Sequence, residues 1–243
     1  MSDAAHMDAN APVEPAALRE LAAMPPPPPP ALSAALEAEL GELAPVATRR
    51  PLRQLAILVG VSIVYASGLL VAWTTRRDME ELPMGWLAGT ALGWLFGFLV
   101  PAYLALVPRR GSVTPRWRVA ALSVAITSVT FVLLGLTVHP SGPSSARYGT
   151  EYFPYGHTCL EHGLVTALVP VVLGAIFLRG ALPIGSRWTA AALGAGGGCL
   201  GGLVLHLHCP IADGLHIGVF HGGVVVVAAL LSAAIVPRAS DVR

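Results

Sequence analysis

Residues 159–178 read CLEHGLVTALVPVVLGAIFL, twenty residues in which the only charged side chain is Glu161, close to the start. At a rise of ~1.5 Å per residue, a helix of this length is ~30 Å long, the thickness of a bilayer's hydrocarbon core. Five further windows have the same character: 54–74, 84–107, 119–138, 188–208 and 217–236. Hydrophobic residues make up 54% of the chain, charged residues 12%, and mean hydropathy is +0.66. An ordinary soluble domain, with about a quarter of its residues charged, is thereby excluded. The pattern predicts an all-α fold: a six-helix transmembrane bundle over 54–237, an N-terminal tail over 1–53 and a short end over 238–243.

The chain contains no lysine, so arginine alone sets the topology. Eleven of the fifteen arginines fall on one side of the six windows: Arg49, Arg50, Arg53, Arg109, Arg110, Arg116, Arg118, Arg179, Arg187, Arg238 and Arg243. Arg76, Arg77 and Arg147 fall on the other, among Asp78, Glu80, Glu81 and Glu151. By the positive-inside rule both termini are expected in the cytoplasm, as in a multi-pass protein of a bacterial inner membrane. Trp73, Trp86, Trp117 and Trp188 lie near the window ends, where an aromatic belt belongs. A cleavable signal peptide is not expected, because no apolar core precedes Gln54.

Residues 1–48 carry seven acids against one base, Arg19. Pro25 to Pro30 are expected to form a stiff polyproline II spacer, and the remainder of the tail to be largely disordered or short-helical. Leu32, Leu36, Leu40 and Leu43 recur at the spacing of one helix face, with Glu37, Glu39 and Glu42 largely off it. So short a helix is marginal alone. An acidic amphipathic stripe fits a basic, nucleic-acid-binding protein as partner, with no direct nucleic-acid contact of its own.

Seven of the eight histidines and two of the three cysteines gather on the face opposite the arginines. Window four opens with His157, Cys159 and His162; window five ends with His206, His208 and Cys209, and His216 and His221 follow. Consecutive spans are antiparallel, so Cys159 and Cys209 should be level. Cys159 with His162, and His206 with Cys209, are each three residues apart and share a helix face. Together they offer a Cys2His2 set of the kind that suits zinc, with His221 as a further candidate. Alternatively the two thiols alone form a disulfide, given Cα atoms within ~4.4–6.8 Å. Glu161 suits the positive end of its helix dipole. Cys199, roughly 15 Å deeper among glycines, reads as a packing residue.

Gly194, Gly198 and Gly202, Gly197 with Gly201, and Gly218 with Gly222 have the spacing that lets helices approach closely. The chain lacks an H-E-x-x-H helix, a phosphate-binding glycine loop and a nucleophile elbow, and no enzyme activity is expected.

Four features carry a resemblance: PVATRRPLR (45–53), the cysteine opening window four, LRGALP (178–183) and HLHCP (206–210). With six spans, they resemble the NrsF-like transmembrane anti-sigma factors over residues 45–243, most strongly over 159–237. The resemblance implies that the N-terminal segment holds an extracytoplasmic-function sigma factor at the membrane. It also implies that Cys159 and Cys209, outside the cytoplasm, sense metal or oxidative stress. This chain departs from the family in its longer acidic, polyproline-interrupted tail and its extra histidines. No cofactor is required, and a bound metal ion such as zinc is compatible with the cluster. The residues alone leave open a metal- or haem-binding membrane protein whose tail is only a linker. A membrane oxidoreductase would need a second redox pair, which Cys199 cannot supply by itself.

Overall fold

A computed structural model of the chain describes residues 49–108, 114–137, 156–179 and 186–240, together with Glu20, Ala23 and Ser33. The polyproline run, the leucine stripe with Glu37 and Glu39, and the loop from 139 to 155 lie outside the described residues. The chain divides into two units, 1–48 and 49–243, and the six long helices belong to the second.

Six helices are long and apolar enough to cross a membrane, and among the described residues there is no strand. They are α1 (Pro51–Trp73), α2 (Met84–Leu106), α3 (Arg116–Thr137), α4 (Gly156–Leu178), α5 (Ser186–His208) and α6 (214–240). Helices begin up to three residues before the apolar windows, because polar and proline residues fill their first turns. Pro51 opens α1, where its missing N–H costs no hydrogen bond. The last element is composite: an α-helical turn Gly214–His216, a π-helical segment Ile217–His221, and an α-helix Gly222–Ser240.

Two contacts show which helix ends share a face. His208 Nδ1 lies 2.7 Å from the carbonyl oxygen of Thr74, level with the end of α1. At the opposite face Arg49 donates to the carbonyl oxygens of Phe177 (2.6 Å) and Arg179 (2.9 Å), at the end of α4.

Helix α5 is the hub: 89% of its most apolar window is buried, against 17% for α1. It packs most extensively on α6, then on α2, α4 and α3. Small residues make this possible. A Cβ at Gly198 would lie 2.6 Å from the Cα of Val225 on α6, and one at Gly196 would lie 3.0 Å from the carbonyl oxygen of Phe98 on α2. Gly201 lies against the backbone of Gly163 on α4, and Gly202 against the Trp94 ring. Backbone therefore meets backbone, the device that replaces hydrophobic drive between helices in lipid. Cys199 sits fully buried in this core. The outer helices turn Val64, Val71, Phe96, Leu168, Ile176 and Leu230 outwards, as a lipid-facing surface requires.

Candidate thiol and imidazole site

At the face shared by the end of α5 and the starts of α4 and α6, four buried side chains converge: Cys159, Cys209, His216 and His221. Their ligand atoms all lie within 4.8 Å of one another. Cys159 sits in the first turn of α4. Cys209 follows the last residue of α5, held by its backbone N–H on the carbonyl oxygen of Leu205 at 2.7 Å. The two Sγ atoms are 3.6 Å apart, and Cys209 Sγ is 3.5 Å from His216 Nε2.

The histidines reach the thiols through the start of α6. Asp213 caps it, its Oδ2 accepting the His216 backbone N–H at 3.0 Å. In an α-helix, residues five apart point about 140° away from each other. The π-helical turn between them closes i to i+5 contacts instead and brings His216 and His221 to one side, rings 5.3 Å apart at 78°. Leu205, Val224, Leu164 and Phe220 wall the cluster from water. Gly156 leaves room for the Phe220 ring, which occupies the space that a Cβ there would need.

Cys209 lies outside the membrane-spanning helices, and its thiol is held below the usual thiol range. The hydrogen bond from Cys159 is the main cause; burial opposes it, and the neighbouring imidazoles of His216 and His221 add to it. A thiol held low beside a second sulfur and imidazole describes a reactive nucleophile and a metal ligand alike.

His221 Nε2, His216 Nδ1 and Asp213 Oδ1 are buried and have no hydrogen-bond partner among the described residues. A buried imidazole nitrogen without a partner costs about 1–3 kcal/mol; a cation in the cluster would relieve it at His221, not at His216, whose Nε2 and not Nδ1 faces the sulfurs. Zinc with Zn–S of ~2.3 Å and Zn–N of ~2.0–2.1 Å has tetrahedral S···S edges of about 3.8 Å and S···N edges of about 3.5 Å. The observed 3.6 and 3.5 Å match those edges. Two thiols and two imidazoles are the donor types that a soft or borderline metal takes, and these two edges have the size that zinc needs.

Of the ligand set read from sequence, the fold gathers Cys159, Cys209 and His221, and adds His216. His162 and His206 go elsewhere. Residues three apart on a helix differ by about 60° in direction, which turns each histidine from its cysteine towards a neighbouring helix. His162 stacks on Trp73 of α1, centroids 4.2 Å apart, and His206 places Nε2 3.0 Å from the Leu87 carbonyl oxygen and meets Trp86 edge-on.

A second feature supports the site from behind. Arg76, 5% exposed, pairs with Asp78 through Nε (2.7 Å) and a second nitrogen (2.8 Å). The same guanidinium donates to the carbonyl oxygens of His206 (3.2 Å) and Pro210 (3.5 Å), and the Arg76 backbone N–H to that of Leu207 (2.9 Å). The His206 and Leu207 carbonyls belong to the last turn of α5 and have no helical partner, and Pro210 follows that turn, so Arg76 fixes the chain on either side of Cys209. Arg76 was read from the sequence only as an outer charge. The Asp-x-x-His spacing of Asp213 and His216 is a sequence signal for the cap, but nothing in spacing announces the π turn.

The chain matches the family described as NrsF, negative regulator of sigma F, over residues 41–240. It belongs to the NrsF family. The thiol and imidazole cluster, the Arg76 turn and all six helices lie within the matched residues. The NrsF description makes this a regulator that acts negatively on a sigma factor, and a sigma factor is the partner it implies. No match is found among curated proteins or among solved structures.

Proposed function

We propose that this NrsF-family protein is a bacterial inner-membrane anti-sigma factor and not an enzyme. Its cytoplasmic tail, 1–53, sequesters an extracytoplasmic-function sigma factor, and a metal or oxidant at the Cys159 and Cys209 face releases it. The single observation that carries the sensing part is the 3.6 Å between the two buried thiols, with His216 at 3.5 Å from Cys209. With a peroxide as oxidant, both thiols lose their protons and two electrons pass to the peroxide, giving one S–S bond and two waters. The sulfurs must then close to ~2.05 Å, drawing the start of α4 towards the end of α5. With a metal instead, Cys159, Cys209, His216 and His221 serve as ligands.

The tail contacts are assigned to Leu32, Leu36, Leu40 and Leu43, with Glu37 and Glu39 facing basic groups of the sigma factor. Moving the switch from mostly bound to mostly free takes up to ~5.5 kcal/mol of discrimination between states, within reach of a disulfide or a tightly held metal. The test is purification of the full-length protein from its native membranes, probed for sigma factor. Sigma should co-purify with the wild type and be lost from Leu36→Asp, Leu40→Asp. If the double variant keeps sigma, the tail assignment fails; if no sigma is found with either, the metal-binding reading with a linker tail replaces this one.

A further inference from the structure

We propose that the outer groove between α4 and α6 is a binding site for one phospholipid with an anionic headgroup. The groove encloses about 640 Å³, within the ~300–1,000 Å³ of ordinary ligand sites. Leu164, Leu168, Val172 and Ile176 of α4 form one wall, Leu231 and Ile235 of α6 the other. It begins below the point where α4 and α6 meet at Gly163 and Val224. From there it runs to Arg179, roughly 22 Å along α4 at ~1.5 Å per residue.

Arg179 is the one charged residue lining the groove, and it stands at the end, exposed. It is not alone there. Arg49 is held beside it through the Arg179 and Phe177 carbonyl oxygens, and Arg238 lies three residues beyond Ile235 on the opposite wall. Among the described residues no carboxylate pairs with any of these three; the ion pair found there joins Arg76 and Asp78 at the other face. An aliphatic trough closed at one end by the Gly163 and Val224 contact and bordered at the other by the Arg179 guanidinium matches an acyl chain with an anionic head. Basic pockets between membrane helices recruit anionic lipid through its net charge, which a zwitterionic headgroup lacks. The site does not depend on the sigma-factor reading.

The test uses delipidated full-length protein in detergent, with native mass spectrometry as readout. The probes are phosphatidylglycerol and phosphatidylcholine of identical chains, and glycerol phosphate without chains. One phosphatidylglycerol per polypeptide is expected, preferred over phosphatidylcholine about five-fold or more, the ratio that corresponds to ~1 kcal/mol for one basic residue. Arg179→Gln should bring the ratio to about one, Arg179→Lys should keep it, and Leu168→Trp, which fills the trough, should lower retention of both lipids. Equal retention of the two lipids, a preference that survives Arg179→Gln, full competition by glycerol phosphate, or a two-chain species without lipid would each overturn the proposal. The last would show a second copy covering the groove.

Discussion

Arg49 donates to the carbonyl oxygen of Phe177 at 2.6 Å, two residues before α1 begins. The chain that enters the bundle is thereby tied to the last turn of α4, and the first turn of that same helix carries Cys159. Under the proposed sensing role, a displacement of Cys159 on oxidation would have to reach the Phe177 and Arg179 carbonyls along α4, past Pro170. Arg49→Ala removes both bonds. Basal expression of a sigma-dependent reporter is expected to rise about ten-fold, the equivalent of ~1.5 kcal/mol, the low end for a hydrogen bond to a charged group.

The thiols should respond as a pair. Peroxide treatment of the purified protein is expected to protect two of three cysteines from alkylation under denaturing conditions. Cys199→Ser should leave this unchanged, since Cys199 is fully buried in the α5 core. Cys159→Ser should leave both remaining thiols open to alkylation.

Zinc should bind with one ion per chain. His216→Ala and His221→Ala are each expected to weaken it more than the ~10–100-fold typical of residues that only support ligands. His162→Ala and His206→Ala should change it little, because those rings face Trp73, Trp86 and the Leu87 carbonyl. Equilibrium titration against a chelator of known affinity separates the two groups.

Acid should loosen the Arg76 turn. The Arg76 guanidinium, by its hydrogen bonds first and its charge besides, holds the Asp78 carboxyl below the usual carboxylate range. A lowered carboxylate pKa contributes stability above the unfolded value, ~3.9, that is lost as pH falls through the folded value. Thermal stability in detergent is therefore expected to drop below pH ~4. Asp78→Asn should remove that dependence and cost about 3 kcal/mol at neutral pH, the low end for leaving a buried charge unpaired, since Asp78 keeps some solvent contact.

Gly198→Ala should part α5 from α6, because its Cβ would lie 2.6 Å from the Val225 Cα, and backbone cannot swing aside. A loss of about 1–3 kcal/mol is expected. Gly89→Ala, with nothing within 4 Å of the added carbon, should be neutral, and the pair compared by thermal denaturation isolates packing.

The six helices were legible because each needs an uninterrupted apolar window, a signal that no neighbour can alter. The meeting of Cys159 and Cys209 was legible too, since antiparallel spans bring the start of one level with the end of the next. The histidine partners were not. Spacing alone gives His162 and His206 the same claim as any pair three apart, and the choice depends on which way each helix is rotated against Trp73 and Trp86. His216 joins the thiols only through the π turn Ile217–His221, which shifts the register by a residue and leaves no trace in hydrophobic periodicity. Arg76 looked like one more charge outside the membrane, because its carbonyl partners, His206 and Pro210, lie 130 and 134 residues away in sequence.

The most direct measurement is the amount of sigma factor that co-purifies with the full-length protein from native membranes, before and after exposure to peroxide or zinc, for the wild type and for Cys159→Ser, Cys209→Ser. Sigma is expected bound to the untreated wild type, released on treatment, and retained by the double variant under every condition. Release that persists undiminished in the double variant would contradict sensing by Cys159 and Cys209.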